Sequence, residues 1–234
     1  MRDGDNIREV AALGVDWIGM IFWPKSPRHV TMIPTYAGII PDRAPAVGGK
    51  EANSPKRVGV FVDEMPQNII TRVVNFKLDI IQLHGHETPI VIRNLRKTLD
   101  PDIRPGIRII KALTVATPDD VAAYKQYEDC VDYFLFDTKC QSVGGRGQHF
   151  DWTLLNAYDG NKPFLLSGGI GPDDAHRLKE WFNVDSNPVA AKCIGIDLNS
   201  RFETAPGLKD VHALSLFLSQ FSSKKIPVNS HENE

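Results

Sequence analysis

The stretch Pro163-Phe164-Leu165-Leu166-Ser167-Gly168-Gly169-Ile170-Gly171-Pro172-Asp173-Asp174 decides the fold. It begins with a short apolar run and passes through a glycine-rich turn. It continues with a proline and two acidic residues, which favour the first turn of a helix. This order indicates a buried strand that leads directly into a helix.

The same unit recurs along the chain. Each copy combines a short apolar run with a segment of helical spacing. Several copies also place a proline in the first turn of the helix, as at Thr88-Pro89, Thr117-Pro118 and Gly171-Pro172. Alternating strands and helices are typical of a parallel sheet. The predicted strands are Asp16–Phe22, Arg57–Val62, Asp79–Leu83, Arg108–Leu113, Asp132–Phe136, Pro163–Leu166 and Lys192–Leu198.

The predicted architecture is an α/β fold, a TIM (β/α)8 barrel from which the first β-strand is missing, so that seven strands are expected. The chain opens with a helix, with Asp5 as its expected cap and an apolar stripe of Ile7, Val10, Ala11 and Leu13. We expect one barrel domain over residues 1–221 with a loop insertion at 41–56. The polar segment 222–234 is predicted to be a disordered tail.

Composition excludes several classes of function. A formal net charge of −2 and a pI near 6.4 argue against binding to nucleic acid or to a membrane surface. No run approaches the roughly 20 apolar residues of a membrane span. The 3 cysteines show neither a disulfide framework nor zinc-ligand spacing. A cytoplasmic protein is expected.

Two loops are candidates for binding a phosphate group. One is Ser167 to Gly171, with Gly168 and Gly169, and the other runs from Asp197 to Ser200. The loops after the last two strands of a barrel are adjacent, and glycines let backbone N–H groups surround a phosphate. The alternative is that these glycines serve only as turns between strand and helix.

Asp137 is the candidate acid. It ends the apolar run Tyr133 to Phe136, and a carboxyl group at an apolar barrel mouth is placed to have a raised pKa and to donate a proton. A structural role, capping a helix or ordering a loop, is the alternative. Asp151, just before the next helix, is better explained as a cap.

Two other polar residues follow strands. His84 ends a strand in Gln82-Leu83-His84-Gly85, although a lone histidine is often structural. Arg28, after the first visible strand, could bind a carboxylate through two parallel hydrogen bonds. With Lys25 it could equally belong to a solvated loop.

Together these pieces resemble the phosphoribosylanthranilate isomerase family of tryptophan biosynthesis. The matching segments, in the family's order, are Gly19 to Arg28, Val58 to Val62, Ile81 to Gly85, Asp137-Thr138-Lys139, Gly144 to Trp152, Ser167-Gly168-Gly169 and Asp197 to Ser200. They span nearly the whole chain.

The resemblance implies an Amadori rearrangement of N-(5-phosphoribosyl)anthranilate, without metal or cofactor. Asp137 matches the family's general acid, and Arg28 would hold the anthranilate carboxylate. His84 lies on the substrate side, and Gly145 belongs to a glycine-rich cover, Gly144 to Gly147. The phosphate would lie against Gly168, Gly169, Asp197 and Ser200.

The sequence departs from the family at its start. The family's general base is a cysteine at the end of the first strand, and Met1-Arg2-Asp3 resembles the continuation of that stretch. We therefore expect the strand and its cysteine upstream of Met1, and favour a misassigned start over a shortened protein. Neither Cys140 nor Cys193 is an obvious substitute.

Two other functions stay open. Without the base, the chain could be a non-catalytic barrel that binds a phosphorylated small molecule. It could also be another phosphosugar isomerase or epimerase, although a carboxylate-binding Arg28 has no use on a plain sugar phosphate. Oligomeric state is not predicted by the sequence.

Overall fold

The computed structural model of the protein describes residues 1–31, 54–138, 151–183 and 187–221. Three of the sequence predictions lie outside these ranges: most of the insertion at 41–56, the cover loop with Gly145, and the tail 222–234.

In the described residues, the protein is built on a sheet of seven parallel strands in the order in which they occur along the chain. All seven strands predicted from the apolar runs are present, which confirms an α/β fold of the TIM-barrel type. The strands are β1 (Trp17–Ile21), β2 (Lys56–Phe61), β3 (Ile80–Leu83), β4 (Arg108–Val115), β5 (Tyr133–Thr138), β6 (Phe164–Ser167) and β7 (Cys193–Ile196).

Helices follow most of these strands. Thr88 and Thr117 each precede a helix with proline in its first turn, and Gly171 precedes a short 3₁₀ turn that begins with Pro172. These starts are as predicted, because a proline at the first helical position loses no hydrogen bond. The helices are α1 (Gly4–Ala12), α2 (Pro66–Phe76), α3 (Pro89–Leu99), α4 (Pro118–Val121), α5 (Ala175–Trp181) and α6 (Val211–Ser219).

The cap of the first helix differs from the prediction. Asp3, not Asp5, precedes α1, and its carboxylate accepts a hydrogen bond from the backbone N–H of Asn6 at 2.8 Å. Asp5 lies exposed in the first turn. A cap must precede the first helical residue, and the helix begins two residues earlier than the apolar stripe suggests.

The core lies on both faces of the sheet. On one face the helices pack their buried residues, such as Ile69 and Val73 of α2 and Phe217 of α6. On the other, strand residues pack against one another: Val58, Ile80, Ile110, Ala112, Leu135 and Leu165. Two buried faces are typical of the strands of an α/β barrel. No helix in the described ranges has the length and apolar character needed to cross a membrane.

An ion pair between residues that follow β1 and β7 connects the two ends of the sheet. Within the described residues, β1 pairs only with β2 and β7 only with β6. A small antiparallel hairpin follows β7, formed by β8 (Glu203–Ala205) and β9 (Leu208–Lys209). Its Glu203 binds Arg28 from the loop after β1, so the hairpin connects the two ends.

Candidate active site

The predicted site residues of the described chain all lie at one edge of the sheet. Parallel strands in adjacent positions point the same way, so the loops after β1, β3, β5, β6 and β7 emerge together at what we call the carboxyl edge. In barrels of this kind the active site is built from these loops. Gly145 lies outside the described residues.

His84 and Asp137 lie side by side at this edge. The Nε2 atom of His84 is 3.3 Å from Oδ2 of Asp137, and each side chain is 29% exposed. The other ring nitrogen, Nδ1, is 3.4 Å from Nε2 of Gln82. The sequence placed both residues at strand ends, and the fold brings them into contact although β4 separates their strands.

The glycine turn lies directly beside Asp137. Asp137 and Ser167 are register neighbours on β5 and β6, and Gly168 and Gly169 follow with φ angles of 99° and 65°. These positive φ angles are accessible to glycine at little cost. The buried carboxylate of Asp174 accepts a hydrogen bond from the N–H of Gly171 at 2.8 Å, which closes the turn.

The loop after β7 forms the adjacent wall. The hydroxyl of Ser167 donates to Oδ2 of Asp197 at 3.3 Å. Burial raises the pKa of the Asp197 carboxyl above its ordinary value, Lys209 opposes that rise with its positive charge, and Asp137 adds to it. Ser200 is exposed and begins a 3₁₀ turn, Ser200–Phe202.

Arg28 is held by a residue that sequence reasoning missed. Its Nε lies 3.0 and 2.8 Å from the two carboxylate oxygens of Glu203, and its Nη2 lies 2.7 Å from Oε2. Glu203 is nearly buried, with 4% of its side chain exposed. A usable signal was the Pro206-Gly207 turn, which predicts a hairpin and places Glu203 close to Lys209.

A second buried ion pair supports the loop that carries His84. Lys111 of β4 binds Glu87 at 2.9 Å, and Lys111 also donates to the Gly85 carbonyl at 2.6 Å. Oε1 of Glu87 accepts hydrogen bonds from the N–H groups of Asp63 and Gly85 at 2.9 and 3.2 Å. The loops after β2 and β3 are therefore fixed to each other by the carboxylate of Glu87.

The described cysteines are poor candidates for an acid–base role. Cys193 begins β7, four residues before Asp197, and burial raises the pKa of its thiol to about 12. Burial also raises the pKa of Cys130. A thiol with a raised pKa stays protonated near neutral pH and is a weak base and nucleophile. Cys140 lies outside the described residues.

Known proteins resemble this chain over nearly all of its length. Residues 3–220 match the profile of the N-(5'-phosphoribosyl)anthranilate (PRA) isomerase family. The N-(5'-phosphoribosyl)anthranilate isomerase of Parabacteroides distasonis is 43% identical over 220 residues, which cover 94% of this chain and 90% of that protein. The isomerase of Phocaeicola vulgatus is 40% identical, covering 96% of both chains.

A solved structure agrees with these sequence matches. The phosphoribosyl anthranilate isomerase of Thermotoga maritima superimposes with a TM-score of 0.74 at 28% identity and covers 96% of each chain. The sheet of seven parallel strands in the described residues and the position of the site residues at its carboxyl edge are consistent with these matches. The chain belongs to the phosphoribosylanthranilate isomerase family, isomerases of tryptophan biosynthesis with a TIM-barrel fold.

Proposed function

We propose that this protein carries out the Amadori rearrangement of N-(5-phosphoribosyl)anthranilate to 1-(2-carboxyphenylamino)-1-deoxyribulose 5-phosphate. The observation that carries the proposal is the contact of His84 with Asp137 at 3.3 Å, beside the glycine turn after β6. A related isomerase has been crystallised with reduced 1-(o-carboxyphenylamino)-1-deoxyribulose 5-phosphate, a ligand whose carboxylate and phosphate suit the two ends of this site.

Asp137 is the proposed general acid. In its protonated form it donates to the ribose ring oxygen, the bond from that oxygen to C1 breaks, and the nitrogen lone pair forms a Schiff base with C1. A base then removes the C2 proton, and the electron pair moves through C1 to nitrogen. The resulting enolamine then loses the proton of its C2 hydroxyl group and gains a proton at C1, which gives the ketone. His84, in contact with the carboxyl group of Asp137, holds that group towards the ring oxygen.

The substrate's two anionic ends define the binding groups. Arg28 takes the anthranilate carboxylate, because a guanidinium matches a carboxylate with two parallel hydrogen bonds. Backbone N–H groups at Gly168, Gly169 and Ser200 take the phosphate, with Asp197 ordering the loop between them through Ser167. Gly145, with the rest of the cover loop, is proposed to exclude water.

The general base is proposed to be a cysteine on a strand that pairs with the open edge of β1. Such a strand has a place between β1 and β7, each of which pairs on one side only in the described part of the chain. The nitrogen of Met1 donates to the carbonyl of Gly19 on the open edge of β1.

The experiment compares three proteins: the 234-residue chain, the chain with an N-terminal strand ending in Lys-Val-Cys-Gly, and the same extension ending in Lys-Val-Ser-Gly. Substrate consumption is followed by anthranilate fluorescence, and binding of the reduced product analogue by calorimetry. We expect all three to bind the analogue and only the cysteine extension to turn over the substrate rapidly.

Two outcomes would contradict the proposal. Equal turnover with serine and cysteine would exclude the cysteine as base. Binding without turnover in all three proteins would instead support a non-catalytic barrel that binds a phosphorylated ligand.

A further inference from the structure

Glu203 occupies one edge of the Arg28 guanidinium, and no other described residue occupies the opposite edge. Both carboxylate oxygens of Glu203 contact Nε, and Oε2 also contacts Nη2. Among the described residues, Nη1 of Arg28 has no hydrogen-bond partner. Since a guanidinium offers five N–H donors in a fixed plane, the Nη1–Nη2 edge can bind a second carboxylate while Glu203 stays in place.

The carboxylate that holds Arg28 is itself fixed by Lys209. Nζ of Lys209 lies 3.3 Å from Oε1 of Glu203, with 9% and 4% of the two side chains exposed. Burial alone would raise the pKa of Glu203, but the hydrogen bond and charge of Arg28, with the charge of Lys209, lower it below its ordinary value. Glu203 is therefore a carboxylate with two cationic partners on separate elements.

Lys209 in turn is fixed at both its backbone and its side chain. Its N–H donates to Oδ1 of Asn6 at 2.7 Å, and its carbonyl accepts from Nδ2 of the same asparagine at 2.9 Å. Asn6 is buried in α1. This reciprocal pair connects the hairpin to the first helix, so Lys209 has little freedom to move.

The same ammonium group reaches the loop after β7. Nζ of Lys209 donates to the carbonyls of Leu198 and Asn199 at 3.1 and 3.0 Å, and to Oδ1 of Asn199 at 3.1 Å. These residues lie between Asp197 and Ser200. Lys209 thus contacts, at once, the loop proposed to bind phosphate and the carboxylate that holds Arg28.

We propose that Glu203 is the positioning residue of Arg28, and that through Lys209 it fixes the distance between the carboxylate-binding and phosphate-binding ends of the site. This inference rests on the proposed function, which assigns Arg28 and the Asp197–Ser200 loop to those two ends. A long arginine side chain loses much rotamer freedom when it binds a ligand. Glu203 removes that freedom before the ligand arrives, which strengthens binding.

The test uses the variant Glu203→Gln, which keeps the shape of the side chain and removes its charge. Two ligands are titrated into the 234-residue chain by calorimetry: the reduced product analogue and the same compound without its ring carboxylate. We expect Glu203→Gln to weaken the first roughly tenfold and the second less than about threefold. Glu180→Gln, an exposed glutamate on α5, is the matched control and should change neither.

A double-mutant cycle separates positioning from a general loss of structure. If Glu203 acts through Arg28, Glu203→Gln should add little to the weakening caused by Arg28→Ala. A merely structural Glu203 would weaken both ligands equally and in both backgrounds, which would overturn the inference. Should Glu203→Gln fail to fold, as judged by circular dichroism, Glu203→Asp keeps the charge, shortens the reach, and must show the same ligand selectivity.

The failure of this inference is distinguishable from that of the proposed function. If Arg28→Ala weakens both ligands to the same extent, Arg28 does not bind the carboxylate and the proposed function loses that assignment. If Arg28→Ala is selective and Glu203→Gln is without effect, only the positioning role is wrong. The role of Lys209 in this inference is tested with Lys209→Gln. This variant should bind both ligands more weakly, because the loop after β7 loses three hydrogen bonds. Unchanged affinity for both ligands would show that Lys209 does not connect the two ends of the site.

Discussion

The Nζ atom of Lys111 lies 2.9 Å from Oε2 of Glu87, with 2% and 4% of the two side chains exposed. This ion pair is buried between β4 and the loop after β3. Because the carboxylate of Glu87 also accepts N–H groups from Asp63 and Gly85, the pair fixes the loop that follows His84. The ion pair therefore supports the geometry of the candidate acid indirectly.

Removing the charge of Lys111 should be strongly destabilising. Lys111→Met leaves the Glu87 carboxylate buried without its cation, and we expect a loss of about 3–5 kcal/mol in the free energy of unfolding. Urea denaturation at pH 7 measures it. The matched control is Arg93→Met, which breaks an exposed pair with Asp129 and should cost less than about 1 kcal/mol. Similar losses in both variants would contradict the role given to burial.

Asp137→Asn should remove most of the turnover of the cysteine-extended protein. Asparagine cannot donate the proton for ring opening, and a lost general acid typically lowers the rate by about 10²- to 10⁴-fold. Affinity for the reduced product analogue should change little, because this ligand is already open. His86→Gln, at a fully exposed histidine, serves as the control. Unimpaired turnover in Asp137→Asn would refute the assignment of the acid.

The site shows which features a sequence can predict. Strand ends are predictable because an apolar run followed by glycine or a polar residue marks where a strand leaves the core, and this located His84, Asp137 and Asp197 correctly at the carboxyl edge. The exact bounds of a strand are less predictable. β4 continues to Val115, two residues beyond the prediction, since its pairing with β5 extends that far.

The partners of those residues could not be predicted in the same way. Arg28 and Glu203 are 175 positions apart, and their contact depends on how the two ends of the sheet approach each other. Local patterns carry no information about such a distance. The predicted cap of α1 was wrong for a simpler reason. Asp3 and Asp5 both satisfy the preference for aspartate at the cap position, and only the backbone geometry distinguishes them.

Asp197→Asn should change how stability depends on pH. The folded-state pKa of Asp197 is raised by burial above its ordinary value of 3.8. As pH rises above the ordinary value, this carboxyl group ionises in the unfolded chain before it ionises in the folded protein. The free energy of unfolding therefore falls until the pH passes the folded-state pKa. Relative to the parent, Asp197→Asn should therefore gain stability as pH rises above about 4, as measured by urea denaturation.

Asp132→Asn provides the opposite case. Burial alone would raise the pKa of Asp132, but its hydrogen bonds from Arg96 and the Ile109 N–H help to lower it. A depressed folded-state pKa stabilises the fold above the ordinary value and ceases to do so as pH falls through the folded-state value. This variant should be less stable than the parent at pH 7, with the difference shrinking below about pH 4. The same pH slope in both variants would contradict the two assignments.

Gly169→Ala tests whether the turn after β6 needs glycine for its backbone or for space. A Cβ atom at Gly169 would meet nothing within 4 Å, yet its φ angle is +65°. The expected loss is about 1–2 kcal/mol, since this region is strained for residues with a Cβ. Gly195→Ala is the control: its Cβ would make only an ordinary contact with Leu165 at 3.8 Å, and no positive φ opposes it.

The same pair of variants tests phosphate binding. The backbone of the loop can relieve the strain of Gly169→Ala by rotating, which changes the direction of its N–H groups. Gly169→Ala should therefore also weaken binding of inorganic phosphate, whereas Gly195→Ala should not. Equal phosphate affinity in both variants would mean that the loop's N–H groups do not hold the phosphate.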